Sequence, residues 1–228
     1  MLIYAHRGAS SDFKEGSKAA YLGAIAQGAD GFECDVRLTK DKQIICYHDS
    51  DTSRLSNIDL KISKSSYKEL KAKVDPYLLE DLLELAISNK KDLVIELKHP
   101  VSTGAMIEKH VHKLLKSRES EIKSSGIQIS LISFSYFATL RNLKSSFQTG
   151  YLVKNPKLIR FNPAPVIALS IEILRQNPGI VVDQHKRGKK LFVWTVNEAS
   201  DLLLCAKEGV NAVITDKPAE AKRCIKEI

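Results

Sequence analysis

Short apolar runs rich in β-branched residues alternate along this chain with longer stretches of helical composition. Residues 2–5 open as a strand, 17–26 read as a helix with Leu22 and Ile25 three apart, and 31–36 form the next strand. The alternation continues with a helix over 77–88, a strand at 93–97, a helix over 104–117 and a strand at 127–134. A helix at 136–143 and strands at 149–153 and 166–170 come next. A helix including 181–186, a strand at 191–196, a helix over 198–208, a strand at 212–215 and a helix from Pro218 complete the series. Counting strands that alternate with helices gives eight. Such units pair in parallel through right-handed crossovers, and eight of them in 228 residues predict a single-domain TIM (β/α)8 barrel over 1–228. The stretch 155–179, rich in Pro and Asn, marks its sixth unit poorly, and an open doubly wound sheet is the competing architecture.

One apolar run, 43–48, falls outside the eight. Only Thr39-Lys40-Asp41-Lys42 separates it from the strand holding Asp35, too little for a helical crossover, so a hairpin after the second strand is expected. A turn centred between Lys40 and Asp41 sets His48 opposite Glu33. The same register puts Cys46 opposite Asp35, on the face away from Cys34, which argues against a disulfide between the two thiols.

Composition narrows the function. The formal charge is +8 with a pI near 9.2, and 43% of residues are hydrophobic against 27% charged, which fits a packed, mildly basic domain. No apolar run approaches a membrane span, so stable membrane insertion is not expected, and the N-terminus lacks a secretory pattern, so a cytoplasmic location is. The basic residues lack interleaved aromatics or a reading motif, which argues against nucleic acid and leaves a field favourable to an anionic small molecule. The four cysteines show no zinc-like spacing and read as free thiols.

The chemistry gathers in a few strands. Glu33 and Asp35 share one face of a strand that looks buried, and two buried carboxylates repel unless a cation lies between them. Oxygen ligands suit Mg²⁺ or Ca²⁺. Glu96 ends its strand where barrel active sites form, a third carboxylate for that cation, and Lys98 follows on the same face as a point charge for a phosphate oxygen. His6 and Arg7 follow the first strand onto the same mouth, the first a candidate acid or base, the second a bidentate phosphate binder. His48 is the second imidazole. His99, His110, His112 and His185 read as solvated.

These residues, taken in order, resemble the glycerophosphodiester phosphodiesterase family. The resemblance rests on Ala5-His6-Arg7-Gly8-Ala9, on the run from Gly31 to Asp41, on His48-Asp49 and on Ile95-Glu96-Leu97-Lys98. Phe192-Val193-Trp194-Thr195-Val196-Asn197 and Ile214-Thr215-Asp216-Lys217-Pro218 are similar to the family's late motifs. The resemblance implies a TIM barrel that hydrolyses glycerophosphodiesters to glycerol 3-phosphate and an alcohol. It implies His6 and His48 as the acid–base pair, Glu33, Asp35 and Glu96 as ligands of one divalent cation, Arg7 and Lys98 near the phosphate, and Trp194 lining the pocket. A bulkier lysophospholipid substrate, which needs apolar surface such as Phe134, Tyr136 and Phe137 at the mouth, and an inactive metal- or phosphate-binding barrel are the alternatives. Two departures stand out. Lys14-Glu15-Gly16-Ser17 replaces the family's Pro-Glu-Asn-Thr, which puts that loop's geometry in question, and the insertion at 49–76 is short, which implies an open pocket.

Overall fold

A computed structural model describes residues 1–226. Among them, eight parallel strands close into a ring: β1 (Leu2–His6), β2 (Gly31–Leu38), β4 (Asp92–Leu97), β5 (Ile129–Ser133), β6 (Gln148–Val153), β7 (Val166–Ser170), β8 (Lys190–Trp194) and β9 (Ala212–Thr215). Closure is made by β1, which pairs with β2 on one side and β9 on the other. The remaining strand, β3 (Ile44–Cys46), pairs antiparallel with β2 outside the ring. The predicted TIM barrel is thus the observed fold, and the open sheet is excluded.

The barrel interior is filled by Tyr4, Val94, Ile132, Leu152, Val166, Phe192 and Ile214, and two larger apolar layers lie between the strands and the outer helices. The helices cover the ring because their apolar positions recur on one face. Helix 106–117 buries Ile107, Val111 and Leu115, four residues apart, and helix 79–88 buries Leu79, Leu82, Leu83 and Ala86.

Three departures from expectation have local causes. The hairpin register is shifted by one residue: Val36 faces Cys46 and Leu38 faces Ile44. Lys42 takes a left-handed conformation (φ 67°) while the Thr39 N–H bonds the Gln43 carbonyl at 3.0 Å, making a three-residue loop where a two-residue turn was expected. The shift turns Cys46 to the same face as Cys34, so the opposite-face argument fails, although both thiols are free. After β6 the outer layer holds a 3-10 helix, Pro156–Phe161, where a barrel normally places an α-helix. Asn155 caps it, and Asn162, Pro163 and Pro165 stop its propagation. Finally, the insertion is a small folded unit, with helices Ser53–Ser56 and Tyr67–Lys73 and a 3-10 turn at Ile62–Lys64. Ile62, Leu70 and Val74 pack there on Ile45 and Tyr47.

Candidate active site

Three adjacent strands build the centre. In β1 and β2, His6 lies beside Glu33; in β2 and β4, Asp35 lies beside Glu96. Parallel register therefore brings together residues that are up to ninety positions apart in sequence. The turn leaving β1 is tight: Arg7 is left-handed (φ 56°), and a Cβ at Gly8 (φ 85°) would meet Ala20 backbone at 2.5 Å, so only glycine fits there.

Glu33, Asp35 and Glu96 are all buried, and each offers an oxygen within 4.8 Å of the others. Arg7 Nε approaches Asp35 Oδ2 at 2.7 Å, and Lys98 Nζ lies 2.6 Å from Asp35 Oδ1 and 2.7 Å from Glu96 Oε1. Those contacts are not aligned as hydrogen bonds, so both Asp35 oxygens remain buried acceptors without a formed bond. Burial opposes ionisation of Asp35, yet Lys98 and Arg7 hold it well below the usual carboxylate range. Burial, then repulsion from Asp35, pushes Glu33 well up and Glu96 up to about 7. Were all three ionised, they would outnumber the two cations beside them by one negative charge in a largely buried place. An all-oxygen donor set with unsatisfied acceptors fits a hard divalent cation, which would lower the proton affinity of all three carboxylates.

Two histidines flank the cluster, each oriented by an aspartate. His6 Nδ1 lies 2.7 Å from Asp216 Oδ1, and its Nε2 is 3.9 Å from Glu33 Oε2. His48 Nδ1 lies 2.7 Å from Asp49 Oδ1. Despite burial, His6, Asn197 and Ser10 keep Asp216 strongly acidic, and His48 and Arg54 lower Asp49. Ionised carboxylates only accept, so each Nδ1 carries the hydrogen and each Nε2 is left to exchange protons. Burial lowers His48, an effect opposed by Asp35 and Asp49 but reinforced by Lys98 and Arg7.

Asp216, Asn197, Asp49, Glu15 and Arg54 were not singled out for roles in the sequence. Asn197 donates to Asp216 Oδ2 at 2.6 Å, and Ser10 Oγ donates to its Oδ1 at 2.8 Å. In the altered loop Glu15 accepts from Arg7 Nη1 at 3.0 Å, and Ser17 caps helix 18–26. Arg54, from the insertion, bonds Glu15 at 2.7 and 2.9 Å and Asp49 at 2.5 Å. The Thr-Asp-Lys-Pro and His-Asp pairs carried the available signal for the two aspartates; nothing local pointed to Arg54. His99 is a correction. It is half-buried, with Nε2 3.1 Å from Glu108, whose carboxylate also receives Arg141, and is not freely solvated.

A cavity of about 130 Å³ joins these groups. It is lined by His6, Arg7, Glu33, His48, Glu96 and Lys98 on one side, and by Ile132, Phe134, Leu152, Lys154, Trp194 and Ile214 on the other. All the predicted site residues line it except Asp35, which lies beneath, held by Arg7 and Lys98. Phe134 meets Trp194 edge-on at 5.5 Å, while Tyr136 packs on Tyr151 and Phe137 is exposed. Another cavity, about 170 Å³ beside Arg37, Ser63 and Pro100, contains none of the clustered acids or imidazoles.

A barrel with buried acids and paired imidazoles at the carboxyl ends of its strands matches one family model, the glycerophosphoryl diester phosphodiesterase family, over residues 6–220. The chain belongs to that family and is a glycerophosphodiester phosphodiesterase by class. It is 31% identical to a glycerophosphodiester phosphodiesterase of Caldanaerobacter subterraneus, covering 95% of this chain and 94% of that protein. It is 26% identical to a probable glycerophosphodiester phosphodiesterase of Mycobacterium tuberculosis, covering 99% and 92%. Among solved structures, the Thermotoga maritima enzyme superposes with a TM-score of 0.83 at 24% identity, covering 98% of this chain and 97% of that one. An Oleispira antarctica phosphodiesterase, solved with the product sn-glycerol-3-phosphate, gives 0.81 at 23% identity, covering 99% and 97%.

Proposed function

We propose that this enzyme hydrolyses small glycerophosphodiesters to sn-glycerol 3-phosphate and an alcohol, using one divalent cation, Mg²⁺ or Ca²⁺, and the pair His6 and His48. The observation that carries this reading is the meeting of two aspartate-oriented imidazoles with three buried carboxylates, two lining one cavity and Asp35 beneath it. Glu33, Asp35 and Glu96 would hold the cation, which when bound supplies Lewis-acid stabilisation of the phosphoryl oxygens.

The chain's own groups do the rest. Arg7 and Lys98 place two positive charges beside the carboxylates and draw the phosphodiester monoanion against them. Asp35 and Glu15 hold the Arg7 guanidinium from two sides, so its orientation is set before substrate arrives. His48, kept neutral by burial and by the nearby cations, accepts the proton of the attacking hydroxyl, whether of water or of the substrate's own glycerol. His6, with Nδ1 held by Asp216 and a proton on Nε2, gives that Nε2 proton to the leaving alkoxide oxygen as its bond to phosphorus breaks. Exchange with solvent then restores His6 and removes the proton taken by His48. Ile132, Leu152, Trp194 and Ile214 form the dry wall of the cavity.

The test is a panel of glycerophosphodiesters with a coupled glycerol 3-phosphate readout, run with each cation. Turnover that stops on chelation and returns with Mg²⁺ or Ca²⁺ is expected; turnover indifferent to chelation would remove the cation from the reaction.

A further inference from the structure

The cavity wall opposite the carboxylates carries one charged residue. Lys154, the first residue after β6, is exposed, lines the cavity, and makes no ion pair among the described residues. Its ammonium lies 5.6 Å from the Phe134 ring centroid and 5.4 Å from that of Trp194. The two rings stand at 89° to each other, so Lys154 sits in the corner of an aromatic L.

Perpendicular aromatic faces are the surfaces by which proteins take up quaternary ammonium groups. Here those faces already hold a cation of the chain's own. A substrate carrying a trimethylammonium or primary ammonium would have to displace Lys154 from both rings and then lie beside its charge. A polyol meets no such opposition, since its hydroxyls can accept from the ammonium and its carbon skeleton can rest on the rings. An additional anionic group would be attracted.

Resting on the diesterase reading above, we propose that Lys154 is a specificity-determining residue that selects glycerophosphodiesters whose alcohol is a neutral polyol or an anion over those whose alcohol is cationic. The effect is that of a single exposed charge and is therefore moderate and sensitive to salt.

The experiment compares kcat/KM for glycerophosphoglycerol and glycerophosphocholine in the wild type, Lys154→Met and Lys154→Arg. The wild type is expected to prefer the glycerol diester. Lys154→Met should raise the choline-to-glycerol ratio by roughly three- to ten-fold, mostly through KM, whereas Lys154→Arg keeps the ratio near wild type. Raising salt should move the wild-type ratio toward that of Lys154→Met without any substitution. An unchanged ratio in Lys154→Met, an equal fall for both diesters, or a wild type that prefers choline would each overturn the assignment while leaving the diesterase reading intact. A wild type that cleaves neither diester, nor any other of the wider panel, would overturn both.

Discussion

The two halves of the barrel mouth are built from opposite materials. Strands β1, β2 and β4, with the hairpin strand β3, supply His6, Arg7, Glu33, Asp35, His48, Glu96 and Lys98, a dense set of ionisable groups. Strands β5, β6, β8 and β9 supply Ile132, Phe134, Leu152, Trp194 and Ile214. The first half is matched to a changing charge distribution; the second, apart from Lys154 just beyond β6, is matched to shaping and dehydrating what lies beside it. Asp216, at the end of β9, crosses this division by reaching back to His6. Charged and apolar lining are thus separable by strand, apart from that aspartate and Lys154.

Substitutions that cut across the division should therefore sort by kinetic signature. The largest losses belong to the charged half: His6→Ala and His48→Ala should each lower kcat/KM by roughly 10²–10⁴-fold in the glycerol 3-phosphate assay. Near wild-type turnover in either would refute its role as a proton carrier. Glu33→Gln should weaken cation binding at least about ten-fold by calorimetry, and unchanged affinity would place the ligand elsewhere. Asp216→Asn, which removes the charged acceptor behind His6, should cost roughly 10- to 100-fold in kcat, the scale of a hydrogen bond to a charged group. If instead it raised KM alone, the residue would belong to recognition and the division would lose that crossing. On the apolar half, Trp194→Ala should raise KM by roughly three- to ten-fold and leave kcat much closer to wild type. The smallest effect is a displacement in pH. Because burial, Lys98 and Arg7 outweigh Asp35 and Asp49 in depressing His48, the acidic limb of the kcat/KM profile should fall below the roughly 6.5 of a free imidazole. The base form survives into mild acid, and a limb above that value would exclude His48 as the proton acceptor.

Much of this arrangement was legible in the residues themselves. The acid–x–acid spacing of Glu33 and Asp35 was enough to put both carboxylates on one strand face, and the position of Glu96 at its strand end brought it alongside. The barrel was readable because its helices and strands alternate with clear periods. What could not be read depended on backbone conformation or on tertiary reach. The hairpin register turned on a left-handed Lys42, a conformation that lysine's chemistry does not advertise. The 3-10 helix after β6 was marked only as a weak stretch, because prolines and asparagines say where a helix fails and not what replaces it. His99 looked solvated beside Lys98 because its partner Glu108 comes from the following helix. Arg54 lies 39 positions from Glu15, and no spacing rule connects a surface arginine to a carboxylate that far away.

That arginine has a consequence for how the molecule could be altered. One guanidinium fastens the carboxylate behind Arg7 and the carboxylate behind His48 at once, so the small excursion between β3 and the helix at 79–88 works as a clasp across the rim. Shortening or exchanging that excursion to widen the entrance would loosen the carboxylates that hold Arg7 and His48 in the same stroke. Its length is therefore tied to the setting of those two side chains as well as to access.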